Sequence, residues 1–77
     1  MEKVTVSLPS VEAVKSFTNI ILDYNGDFDL LQGHYAIDAK SLNGVLSMDL
    51  SRNMELVIHT QGDASEIINA IDEFIVK

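Results

Sequence analysis

The chain has 77 residues, 47% of them hydrophobic and 22% charged, and contains no cysteine. Twelve acidic against five basic side chains give a formal charge of −7 at neutral pH. A disulfide scaffold, a thiolate zinc centre and a cysteine nucleophile are excluded. The negative surface works against nucleic acid and against an anionic membrane, both of which bind by having phosphates neutralised. A basic protein partner would be favoured, although acidity by itself usually serves solubility. The length fits one domain, residues 1–77, with the apolar content of a globular chain. No basic, apolar signal segment opens the sequence. No apolar run approaches the roughly 18–20 residues of a membrane span, so the cytoplasm is the expected location.

The first element is a strand. Val4, Val6 and Leu8 alternate with Lys3, Thr5 and Ser7, the period of a half-buried strand, and Pro9 stops it because proline has no N–H to give to a ladder. Ser10 reads as an N-cap and Glu12 suits the positive end of a helix dipole. From Val11 to Tyr24 the apolar residues Val14, Phe17, Ile20, Ile21 and Tyr24 recur every three or four positions, which predicts an amphipathic helix ended by Asn25-Gly26.

Phe28–Gln32 and Tyr35–Ala39 read as two strands joined by a tight turn at Gly33-His34. Ser41 to Met48 carries Leu42, Val45 and Leu46 at helical spacing and predicts a short helix, weakened by Gly44 at about 1 kcal/mol of propensity. Ser51-Arg52-Asn53 is turn chemistry. Met54–Thr60 alternates Met54, Leu56 and Ile58 against Glu55, Val57 and His59, a further strand. After Gly62, Asp63 is a candidate N-cap for a last helix from Ala64 to Val76, with Ile67, Ile68, Ile71, Phe74 and Ile75 as its apolar stripe. The order is β-α-β-β-α-β-α. One apolar stripe per helix predicts an α+β open-faced sandwich, a four-stranded antiparallel sheet with its helices on one face.

The segment Ala39-Lys40-Ser41-Leu42-Asn43-Gly44-Val45-Leu46-Ser47-Met48 resembles the stretch that reads Lys-Ser-Ile-Met-Gly-Val-Met-Ser-Leu in HPr proteins of the bacterial sugar phosphotransferase system. Lys40, Ser41, Gly44, Val45 and Ser47 match, and Leu42, Leu46 and Met48 are conservative replacements. The spacing to the hairpin before it and to the strand and helix after it also fits, and the likeness is clear over about two thirds of the chain. The resemblance implies an HPr-like sandwich and protein partners from that system: Enzyme I, the IIA components, or HPr kinase/phosphorylase. In the family, a histidine at the start of the first helix relays a phosphoryl group from Enzyme I to IIA. A serine matching Ser41 is a regulatory phosphorylation site in many members, and an apolar patch on the second helix helps dock partners. By this resemblance Leu42, Leu46 and Met48 are the candidate docking residues.

This sequence departs from the family at the carrier loop. In place of histidine, alanine, arginine and proline stands Leu8-Pro9-Ser10-Val11-Glu12-Ala13, in a shorter loop. Ser10 falls near the histidine's place, Glu12 near the arginine's and Ala13 near the proline's. Imidazole is nucleophilic near neutral pH, and a helix N-terminus and a guanidinium stabilise the phosphoryl charge. A carboxylate there repels it, and a phosphoserine is too stable for rapid onward transfer. The two histidines present, His34 in the hairpin turn and His59 near the end of the last strand, read as solvent-facing residues. Neither lies at a predicted helix start, and no metal-ligand pattern surrounds them.

Ser41 has two compatible readings, N-cap of the second helix and phosphorylation site, because a phosphate is favoured at a helix start. Asp49, where the family commonly has glycine, places a negative charge near that helix. Val45 is a core residue, whereas Leu42 and Leu46, four apart, can stay exposed as a docking patch. No cofactor, metal site or enzyme machinery is expected: no nucleophile–base pair, phosphate-cradling loop or convergent carboxylate pair stands out. The expectation is an HPr-like protein of the phosphotransferase system that is regulatory or protein-binding and not a histidine phosphocarrier. The alternative is an interaction module that keeps the fold but has left the pathway.

Overall fold

The computed structural model describes residues 2–60 and 62–77. Its elements are β1 (Glu2–Val6), α1 (Val11–Leu22), β2 (Asp27–Gln32), β3 (Tyr35–Asp38), α2 (Leu42–Leu46), β4 (Met54–His59) and α3 (Ser65–Ala70), followed by a 3-10 turn (Asp72–Phe74). The strands form one four-stranded antiparallel sheet, as the alternation and the helix stripes predict, and their order in it is β1-β4-β2-β3.

One of the two inner strands, β4, is hydrogen-bonded on both sides: Leu56 lies opposite Val4 of β1 and Leu30 of β2, and Ile58 opposite Phe28. Met54, Leu56 and Ile58 point to the helix side and are buried. Val14, Phe17 and Ile21 of α1 come down on them, at the three-and-four spacing read from the sequence, and Val45, Ile67, Ile71 and Phe74 complete the core. Phe17 meets Phe74 edge to face, with ring centroids 5.7 Å apart, a favoured aromatic geometry. Among the described residues no helix is long and apolar enough to cross a membrane.

Helix ends differ from expectation. Helix α1 stops at Leu22 with Asp23 as C-cap, and Tyr24 lies just beyond it. The chain reverses at Gly26, whose φ of +107° favours glycine. The hairpin turn holds Gly33 at φ +59°, which lets the twist of β2 run into β3. Asp63 accepts hydrogen bonds from the Ser65 N–H (2.9 Å) and hydroxyl (2.6 Å) at the start of α3. Those two donors hold its carboxyl below the usual aspartate range.

The largest difference is at the C-terminal end, where one helix to Val76 is expected. Helix α3 ends at Ala70, and Ile75 is extended at φ −77°, ψ 130°. The outer edge of β1 explains this. Ile75 bridges Val6, the Val76 N–H donates to the Thr5 carbonyl (2.9 Å) and the Ser7 N–H to the Phe74 carbonyl (2.8 Å). Backbone groups at an open sheet edge seek partners, and this pairing outweighs one more helical turn of β-branched residues.

Gly44 owes its place in α2 to packing. A Cβ there would stand 2.7 Å from Ile37 Cγ2 of β3 and 3.1 Å from Ser41 Oγ. Gly44→Ala gains about 1 kcal/mol of helix propensity but overpacks at a cost of about 1–3 kcal/mol. The expected result is a net loss of about 1 kcal/mol, seen as a lower urea midpoint at unchanged m-value. A raised midpoint would contradict this packing account.

Candidate functional site

The start of α1 is capped at one of its N–H groups by Ser10. Ser10 sits in extended conformation at φ −145°, ψ 163°, and its Oγ accepts from the Ala13 N–H at 3.1 Å. Its carbonyl accepts from the Val14 N–H at 3.1 Å. Glu12 occupies the first turn and is exposed, while Ala13 is half-buried. One free N–H is therefore capped and the helix dipole is met by a carboxylate. Neither histidine lies on α1 or in the loop before it. His34 is exposed in the hairpin turn, and His59 ends β4 with its Nε2 2.9 Å from Asp29 Oδ2. Asp29 was not anticipated as its partner. The cross-strand register, in which Asp27 faces His59 and Asp29 faces Val57, brings the two together.

The second-helix segment forms as its spacing predicts, but over fewer residues. Ser41 is the N-cap: its Oγ accepts from the Gly44 N–H at 3.2 Å and the residue is exposed. The cap and an accessible hydroxyl thus coexist. Leu42 and Leu46 are half-buried, packed on the core on one side and open to solvent on the other. Met48 does not share that surface. It is 8% exposed and belongs to the core, because the helix ends at Ser47 and the chain turns inward there. The candidate docking patch is thereby reduced to Leu42 and Leu46.

Lys40, which sequence matching places beside Ser41, is a tie between elements. Its Nζ donates to the Tyr24 carbonyl, just past the end of α1, at 2.7 Å, and lies 5.3 Å from the centroid of the Phe28 ring. A cation at a helix C-terminus meets the negative end of the dipole, and the aromatic face adds attraction.

Gln32 is a structural residue that sequence reasoning missed. Its amide oxygen accepts from the Asp49 N–H at 2.9 Å, and its Nε2 donates to the carbonyls of Asp49 (2.8 Å) and Arg52 (3.4 Å). The available signal was a polar residue in phase with the inward-facing Phe28 and Leu30. This clamp sets the loop after α2 and turns Asp49 to its own neighbour. The Asp49 carboxylate accepts from the Ser51 hydroxyl (2.6 Å) and N–H (3.0 Å), which lower its pKa. The negative charge that the sequence places near α2 is thus engaged by Ser51.

The family profile described as "PTS HPr component phosphorylation site" matches residues 10–77. The chain belongs to the HPr family. A crystal structure titled HPr-C-His from Thermoanaerobacter tengcongensis superposes with a TM-score of 0.76 at 20% identity, over 95% of this chain and 89% of that one. At that identity the likeness speaks for the fold, the four-stranded open-faced sandwich expected from the element order. No curated protein matches the sequence. As a member of the HPr family the chain carries the phosphocarrier fold of the phosphotransferase system, whose members work by contact with other proteins of that system.

Proposed function

We propose that this chain is a protein-binding, regulatory member of the HPr family that does not carry phosphoryl groups on a histidine at the start of α1. The observation that carries this reading is the make-up of the start of α1, with the Ser10 cap, Glu12 in the first turn and no histidine within the first 33 residues. Glu12 opposes a phosphoryl dianion at the place where the family supplies a cation. The function lies instead on α2. Ser41 is an exposed N-cap at which an added phosphate would meet the free N–H groups of the helix start. Leu42 and Leu46 beside it present apolar surface to a partner from the phosphotransferase system: Enzyme I, a IIA component or HPr kinase/phosphorylase.

Two reactions test the proposal. Incubation with phosphoenolpyruvate, Enzyme I and a IIA protein, read by intact mass, should leave the chain unmodified. A phosphohistidine adduct that IIA removes overturns the loss of carrier function. Incubation with HPr kinase/phosphorylase and ATP should add one phosphoryl group, absent in Ser41→Ala. No adduct, or an equal adduct in that variant, removes Ser41 from the account.

A further inference from the structure

The sheet has two outer strands, β1 and β3, and the fold treats them differently. The outer edge of β1 is covered by the last residues of the chain, where Ile75 bridges Val6 and the Val76 N–H donates to the Thr5 carbonyl. Among the described residues no such pairing covers the outer edge of β3. The Ala39 N–H donates to the Phe28 carbonyl at 2.8 Å, and the register sets Ile37 opposite Leu30 and Tyr35 opposite Gln32. Hydrogen-bonded and non-hydrogen-bonded pairs alternate along an antiparallel ladder, so Ile37 and Tyr35 turn their backbone groups to β2. Ala36 turns its N–H and C=O outward and Asp38 its N–H, while the Asp38 carbonyl accepts from the Ser41 N–H. Tyr35, Ala36 and Asp38 are all exposed.

The charge beside this edge is one-sided. Asp29 and Asp38 lie directly opposite each other, on the sheet face away from Phe28 and Leu30. Both line a hollow of about 330 Å³ together with Asp27, Phe28 and His59. His59 meets Asp29 at 2.9 Å, but among the described residues no cation lies within ion-pair distance of Asp38. Like charges facing each other across a ladder weaken the pairing.

We propose that the outer edge of β3 accepts an extended segment of a protein partner as a fifth strand, and that this segment carries a lysine or arginine beside Asp38. An open edge is a template for an added strand. Main-chain bonds to Ala36 and Asp38 hold the segment, and its alternate side chains fall on the carboxylate face. A cation there offsets the facing charges of Asp29 and Asp38. A second copy of this chain fits less well, because it brings a like charge of −7. The Ser41 hydroxyl, Leu42 and Leu46 take no part, so this surface stands independently of the reading above.

Amide shifts and hydrogen exchange of the full chain, titrated with acetyl-Val-Lys-Val-Lys-Val-amide or acetyl-Val-Glu-Val-Glu-Val-amide, test this. The lysine peptide should shift the Ala36 and Asp38 amides saturably and slow their exchange, with the glutamate peptide binding about fivefold or more weakly. Ala36→Pro should abolish binding at an unchanged urea midpoint, since it removes only an outward N–H and proline is accommodated at sheet edges. Asp38→Asn, which keeps an acceptor for the Lys40 N–H, should still bind but narrow the difference between the peptides to about twofold. Equal binding of the two peptides by the native chain overturns the basic partner. Unchanged affinity in Ala36→Pro, or shifts elsewhere with silent Ala36 and Asp38 amides, overturns the edge. Should Ala36→Pro fail to fold, exchange at the Ala36 and Asp38 amides and the Asp38→Asn variant decide the same question. Protection of Ala36 that rises with protein concentration without peptide, with a doubled mass in sedimentation, gives the edge to a second copy and overturns the basic partner.

Discussion

Phe17→Ala should remove about 3–5 kcal/mol of stability and move the urea midpoint far down. Phe17 is completely buried. It sits on the α1 stripe, over the sheet, and meets Phe74 at 5.7 Å. Truncation loses the transfer free energy of the ring and opens a cavity against the last turn of the chain, which is itself held to the β1 edge by two backbone hydrogen bonds. A domain of this size is stabilised by about 4–12 kcal/mol in total, so the loss consumes a large share. Urea denaturation followed by far-ultraviolet circular dichroism measures it. Phe17→Leu, which keeps most of the volume, should fall well short of the alanine variant. A loss under about 1.5 kcal/mol for alanine would mean that the Phe17–Phe74 contact is not central to the core.

Gln32→Leu should cost about 2–3 kcal/mol although it puts an apolar residue at an inward-facing position. The variant abolishes one acceptor and two donor contacts to the loop and leaves the backbone groups of Asp49 and the carbonyl of Arg52 without their partner. Each lost bond contributes about 0.5–1.5 kcal/mol, partly offset by burial of the leucine. The consequence has a distinct signature. Native-state hydrogen exchange should accelerate at the Asp49 amide more than at the amides of β4, because the loop loosens before the sheet does. Gln32→Glu should be no rescue. It restores the acceptor for the Asp49 N–H but turns a carboxylate oxygen against two carbonyls. Unchanged stability in Gln32→Leu would show that the loop between α2 and β4 holds its shape without the clamp.

Most of the fold was legible in the residues because its signals are local. The period of two in Met54–His59 and the three-and-four spacing of Val14, Phe17 and Ile21 follow from backbone geometry alone. The Ser10 and Ser41 caps were legible for the same reason: each reaches an N–H three positions on. At the candidate site, the absence of a histidine from α1 and the place of Ser41 at the start of α2 needed no structure. The exposure of the α2 residues did need one. Leu42, Leu46 and Met48 are equally apolar in sequence, but the helix ends at Ser47 and sends only the last of them inward.

The sequence by itself determined the order of elements, the antiparallel sandwich and the absence of a histidine before position 34, since periodicity, capping and residue identity act within a turn or two of the chain. Tertiary structure alone decided the rest. Lys40 finds the Tyr24 carbonyl 16 positions away, Gln32 finds Asp49 17 positions away and His59 finds Asp29 30 positions away. Ile75 leaves its helix to pair with Val6 at the other end of the chain. The Thr18 hydroxyl has no partner only because of how α1 packs. Each of these depends on which groups the fold brings together and leaves dry, and a polar group's partner, unlike a period, is not written beside it in the chain.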